Sequence, residues 1–238
     1  MVGRNAEWVL LPCMERRRKM RTLPILFKTE MVQALLAGRK SCTRRVIKFP
    51  DGMTGRPVGK AGDSSNPLGV MYPGGIKRPP YQPGDILYVR ETWCSAYDGE
   101  KYFYIADKLT NREERLLLNY DDVKWHPSIH MPKDAARIWL KVTDVRVERL
   151  QEITEDQTEE EGFLFTPPCL HLTGENYCDI DGLCTSKIKY CDMGAGELFG
   201  KVLWNSTIKK TDLDRYGWDA NPWVWVIEFE RCEKPGKE

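Results

Sequence analysis

The stretch Gly38-Arg39-Lys40-Ser41-Cys42-Thr43-Arg44-Arg45 crowds four cations around a small polar center, and Lys48 lies three residues on. Two chemistries suit that pattern. Guanidinium and ammonium groups gathered on one surface hold phosphate. The same crowding can instead prepare Lys40 as a proton acceptor, because neighboring positive charge and partial burial both disfavor the ammonium form. The bulk composition excludes one simple explanation. The chain is nearly neutral, with 36 basic against 35 acidic residues, so it is not a nonspecific polycation. The charge is unevenly placed, however. Residues 1–50 hold 12 Lys and Arg against three Glu, and residues 152–161 hold six carboxylates and no base. Such a map can set a basic cleft beside an acidic group.

Secondary-structure signals place these residues. Thr22-Leu-Pro-Ile-Leu-Phe-Lys28 reads as a strand. Thr29-Glu30 opens a helix whose apolar face is Met31, Val32, Leu35 and Leu36, and Gly38 stops it. The cationic stretch therefore starts at a helix C-terminus and enters a strand through Val46-Ile47. Pro83-Gly84-Asp85 marks a turn before a β-rich run from Ile86 to Thr92, and Lys101–Asp107 is another strand. Over residues 136–150 the apolar positions Ile138, Leu140 and Val142 alternate, and Val145 and Val147 continue on the opposite parity. That one-residue slip predicts a bulge. Thr154-x-x-Gln157 fits a capping box opening a helix to about Gly162. Residues 197–206 read as a helix. The closing strand sets Trp223, Trp225, Ile227 and Phe229 on one face, with Trp223 and Trp225 read as core. Residues 49–80, rich in Gly and Pro, and residues 163–193 read as two irregular insertions.

Hydrophobic residues make up 41% of the chain, enough for a sizeable core. No apolar run approaches the length of a membrane span. Eight cysteines with no secretion signal fit reduced thiols in a cytoplasmic protein. Cys169, Cys178, Cys184 and Cys191, with His171 nearby, could hold a structural zinc ion and order the second insertion. None of them forms a Cys-x2-Cys knuckle, so free thiols in a loop are the competing reading.

In order and spacing, four segments resemble the ASCH domain family of the PUA-like superfamily. They are the Gly-x-Lys-x-x-x-x-Arg motif at Gly38, Lys40 and Arg45; the Pro83-Gly84-Asp85 turn leading a strand; the long strand and acidic helix across 137–162; and the closing strand at 225–229. They cover roughly half of the chain, and the two insertions make it similar to long members carried by phages and prophages. The resemblance implies an α+β fold: a small, mostly antiparallel PUA-like β-barrel with flanking helices and two long insertions. Residues 1–19 would be a flexible basic extension and 20–238 a single domain.

Thr43 stands where many family members carry Glu. That choice resembles the branch of bacterial N4-acetylcytidine amidohydrolases, and it implies a catalytic set of Lys40, Thr43 and Glu161. Thr43 would attack the acyl carbonyl, Lys40 would act as base, and Glu161 would protonate the departing amine or orient the substrate. A Lys40–Glu161 ion pair would hold the lysine charged and count against the base role. Arg39, Arg44, Arg45, Arg90 and Glu91 are the expected substrate-binding residues, with Tyr88 and Trp93 as faces on which a base could stack. Cys42 is the alternative nucleophile, although only His126, His130 and His171 could serve it as partner. The resemblance thus implies hydrolysis of an acylated nucleoside, with a nucleoside or RNA as partner and no cofactor for the chemistry. The alternatives are a noncatalytic RNA- or nucleotide-binding module and a phage accessory protein acting through protein contacts.

Overall fold

The computed structural model describes residues 20–50, 52–63, 66, 68–96, 101–107, 124–163 and 194–236. Its center is a five-stranded sheet of β1 (Thr22–Leu26), β6 (Ile86–Arg90), β9 (Trp139–Arg149), β10 (Trp223–Cys232) and β2 (Cys42–Val46), in that spatial order. The β1–β6 pair is parallel and the other three pairs are antiparallel. A three-stranded antiparallel sheet, β3 (Arg56–Val58), β4 (Gly69–Tyr72) and β5 (Gly75–Lys77), and a hairpin, β7 (Trp93–Ala96) with β8 (Lys101–Tyr104), complete the strands. The fold is mixed α+β with mostly antiparallel sheets.

The sequence explains the two long strands. On β10, Trp225, Ile227 and Phe229 enter one core with Leu140, Val142 and Val145, while Val224 and Val226 enter a second core on the opposite face. Both parities are apolar, so β10 is covered on both sides. The expected bulge is present on β9. Phe229 pairs with Val142 and Glu228 with Asp144, which leaves Thr143 as the extra residue at the parity change.

The first insertion departs from the expectation of an irregular loop. Residues 56–77 form the β3–β4–β5 sheet, and Leu68 and Val70 from this segment join the main core. The strands are only three or four residues long, too short for alternation to stand out among the turn-forming glycines and prolines. Residues 1–19 and 164–193, which include the four cysteines of the zinc reading and nearly all of the second insertion, lie outside the described residues.

Helix α1 (Thr29–Leu36) sends Val32 and Leu35 into the main core. Its N-cap is Lys28, with no side-chain cap, so Thr29 is the first helical residue. Helix α2 (Glu155–Glu160) starts with the expected capping box of Thr154 and Gln157. The helix expected at 197–206 is composite: α3 (Ala195–Leu198) runs into a π-helical stretch, Phe199–Trp204, and an α-turn at Asn205–Thr207.

The terminal strands of the central sheet are linked through a side chain. Strands β1 and β2 approach closely enough for the Arg45 guanidinium to donate to the Leu26 carbonyl at 2.9 Å and lie over the Phe27 ring at 5.3 Å. One side chain bridges that seam, and the candidate site lies there.

Candidate functional site

Two glycines bring the ends of α1 and α2 together. Gly38, with φ +73°, turns the chain out of α1, and Gly162, with φ +83°, ends the segment after α2. Residues Lys40 and Glu161 meet as an isolated antiparallel bridge, and the Ser41 amide donates to the Glu160 carbonyl at 2.9 Å. A Cβ on Gly162 would stand 2.6 Å from the Ala34 Cβ and 3.3 Å from the Lys40 Cβ. Glycine at 162 therefore serves both the left-handed backbone and the close approach of Lys40.

The Lys40 side chain is buried, and its Nζ donates to three acceptors: the Cys42 carbonyl, the Glu161 carbonyl and Glu161 Oε2, each at 2.7 Å. An ammonium group has three N–H donors, and all three are used. The other Glu161 oxygen, Oε1, faces Arg44 Nη1 at 3.4 Å. Arg44 also reaches Gln157 Oε1 at 2.6 Å and Glu148 Oε2 at 3.3 Å, with its side chain fully enclosed and its Nε without an acceptor among the described residues. Lys40, Glu161 and Arg44 thus form a buried, fixed charge network.

This network forms one wall of a cavity of about 180 Å³. Lys40, Thr43, Arg44, Arg45 and Glu161 all line it. Thr43 is 3% exposed, and among the described residues no hydrogen bond engages its hydroxyl. Glu161 is the one carboxylate among the described lining residues. The remaining wall is mostly apolar, Leu26, Phe27, Met31, Phe199, Leu203 and Trp204, with Lys28 and Thr207 beside them.

The other expected substrate-binding residues do not line this cavity. Arg39 is exposed and donates to the Gly162 carbonyl. Arg90 donates to the Met131 carbonyl at 2.8 Å. Glu91 is 1% exposed and takes a bidentate bond from Arg137, with both distances 2.9 Å. Burial pushes its carboxyl above the ordinary range, against the opposing pull of Arg137. Tyr88 packs on Trp139, and Trp93 stacks on His126 at 5.0 Å. Side-chain alternation on β6 and the start of β7 sends these groups to other neighbors, so their proximity in sequence to the Pro83-Gly84-Asp85 turn did not carry them to the seam. As read from the sequence, Trp225 is core, 4% exposed; Trp223 packs against the same cluster.

Cys42 has no exposed surface, and burial, with the Glu161 charge second, pushes its thiol up to about 12. A thiol so placed holds no thiolate at neutral pH and is closed to reagents. Brief iodoacetamide treatment of the native protein at pH 8, followed by peptide mapping, is expected to leave Cys42 unmodified. Treatment in urea should label it. Rapid native labeling would show the thiol accessible and revive it as a nucleophile.

The phosphate-surface reading loses ground at this site, because its most buried cations are committed to carboxylates and carbonyls. Sequence reasoning missed the apolar walls from β1 and the π-helical stretch. It also missed Glu148 and Gln157 as partners of Arg44; Gln157 is legible only as a capping residue. Among the described residues, no group of three or more His, Cys, Asp or Glu is arranged to hold a metal ion. No helix among them is long and apolar enough to cross a membrane. In comparisons with known proteins, no family model, curated protein or solved structure matches this chain.

Proposed function

We propose that the protein is an ASCH-type, PUA-like domain that hydrolyzes the amide of an acylated nucleoside, of which N4-acetylcytidine is the model, in the cavity at the β1–β2 seam. The observation that carries this reading is the convergence of Lys40 and Thr43, from the segment entering β2, with Glu161, from the end of α2, on one small cavity. The approach of the terminal strands β1 and β2 across the Arg45 side chain supports the PUA-like reading.

The roles come from the bonding. Lys40 has no vacant position for a proton, so the base falls to Glu161. Its carboxylate takes the Thr43 hydroxyl proton as Thr43 Oγ1 forms a bond to the acyl carbon. The tetrahedral adduct collapses with cleavage of the C–N bond, and Glu161 returns the proton to the leaving amine. Water then hydrolyzes the threonyl ester, releasing the carboxylic acid and restoring the hydroxyl. Lys40 and Arg44 position Glu161 and place positive charge beside the developing oxyanion.

The test is incubation with N4-acetylcytidine, following cytidine release by chromatography. Thr43→Val keeps the side-chain shape and removes the hydroxyl, and it is expected to lower kcat by roughly 10³-fold or more. Thr43→Ser should retain measurable turnover. Wild-type turnover unaffected by Thr43→Val rejects Thr43 as nucleophile. An inactive wild type moves the reading to a noncatalytic nucleotide- or RNA-binding module, for which steep weakening of RNA binding with salt is the expected sign.

A further inference from the structure

The polar inventory of the cavity is small once internal bonds are subtracted. Lys40 has used its three donors, and Glu161 receives Lys40 on one oxygen and Arg44 on the other. Arg45 is bonded to the Leu26 carbonyl, Lys28 to Ser206, and the Thr207 hydroxyl to the Trp204 carbonyl. The Thr43 hydroxyl and the Arg45 N–H groups not given to Leu26 are left for a ligand. A nucleobase held in a pocket needs several donors and acceptors along its edge, or its own polar atoms go unsatisfied. The described lining offers donors from Arg45 and Thr43 but has no Asn, Gln, Asp or Ser, so it is short of acceptors for such an edge.

A carbonyl attached to hydrocarbon matches the inventory much better. The oxygen would meet the charged wall beside Thr43, and Met31, Phe199, Leu203 and Trp204 would surround the hydrocarbon. The volume points the same way. At about 180 Å³ the cavity lies below the roughly 300 Å³ at which pockets for whole drug-sized ligands begin.

We propose that the cavity is an acyl pocket: the substrate inserts its acyl chain, with the amine-bearing ring outside, and chains longer than acetyl are preferred. This rests on the hydrolase reading above and names its substrate class as amides of short, apolar acyl groups. The overall reaction is amide plus water giving carboxylic acid plus amine.

The experiment is a series of N4-acylcytidines with acetyl, propionyl, butyryl, hexanoyl and octanoyl groups, measured as kcat/KM. A value rising about fourfold per added methylene, the ratio expected for hydrocarbon leaving water, and then falling once the chain outgrows the cavity supports the proposal. Leu203→Trp, which fills the apolar end, should move the optimum toward shorter chains. Hydrolysis that is fastest for acetyl, or flat across the series, overturns the acyl pocket and leaves the hydrolase reading standing. Binding of acetamide and butyramide, monitored by NMR shifts in wild type and in Leu203→Trp, separates the remaining cases. If no amide is hydrolyzed but butyramide binds more tightly and Leu203→Trp removes that advantage, the pocket stands and the hydrolase reading falls. No hydrolysis and no preference for butyramide overturns both.

Discussion

Lys40→Met is expected to destabilize the protein by about 3–5 kcal/mol, the range for removing one partner of a buried ion pair. The methionine fills the space of the lysine stem, so little of the loss would be a cavity effect. The variant leaves Glu161, 4% exposed, facing only Arg44 at 3.4 Å, together with two backbone carbonyls that no longer have a donor. The lysine also joins two segments far apart in sequence, and the residue after it reinforces the junction: Ser41 donates to the Glu160 carbonyl on α2, and its own carbonyl accepts from the Phe229 amide on β10. Urea unfolding monitored by circular dichroism measures the loss as a lower midpoint at unchanged slope. The double variant Lys40→Met/Glu161→Leu should recover part of it, because the buried charge is then gone as well. A single variant as stable as wild type would mean that the pair is not buried in solution, and the assignment of the proton-transfer role to Glu161 would lose its basis. The same result governs how activity data are read: lost turnover in a Lys40 variant reflects folding as well as chemistry, whereas Thr43→Val isolates the hydroxyl.

The parts of this molecule that were legible in its sequence are those in which a local rule acts alone. The parity slip between Val142 and Val145 locates the bulge at Thr143 because a pleated strand has a strict period of two. Thr154 and Gln157 mark the start of α2 because a capping box is contained in four residues. Lys40, Thr43 and Glu161 came together only through a family resemblance; nothing in the spacing of residues 40 and 161 shows that they meet. The four residues from 88 to 93 read as substrate contacts illustrate the limit. They stand in a segment read by resemblance as core to a family, yet Glu91 is drawn to Arg137 and Trp93 to His126, partners at least 33 positions away that no local pattern reveals. The three short strands of residues 56–77 were hidden for a different reason: at three or four residues, a strand is too brief for its alternation to exceed the signal of the turns beside it. The π-helical stretch carries an ordinary helical pattern at either end, and its extra residue per turn becomes visible only through the groups that pack on it.

Gly200→Ala is expected to cost about 3 kcal/mol or more, at the upper end of overpacking effects, and to lower Tm by roughly 6–12 °C. Alanine is ordinarily the better helix former, so propensity alone predicts a gain of nearly 1 kcal/mol. Packing reverses that sign. A Cβ on Gly200 would stand 1.9 Å from Trp218 Cε3 and 2.0 Å from Cδ2, within the bonded core of the ring. The indole cannot easily retreat. Trp218 is 8% exposed in a cluster with Phe199, Trp204 and Val226, its amide donates to Asn205 Oδ1 at 2.8 Å, and its carbonyl accepts from Gln151. The displacement must therefore be taken up by the π-helical stretch itself, which carries Phe199, Leu203 and Trp204 into the apolar wall of the cavity. The variant should consequently lose discrimination among acyl chain lengths more than it loses turnover of the acetyl amide, since Thr43 and Glu161 are held by β2 and the bridge to Lys40. Thermal unfolding combined with the chain-length series separates the two effects. A neutral or stabilizing Gly200→Ala would show that the helix and Trp218 do not meet as described, and the wall assigned to the acyl group would then have to be rebuilt from other residues.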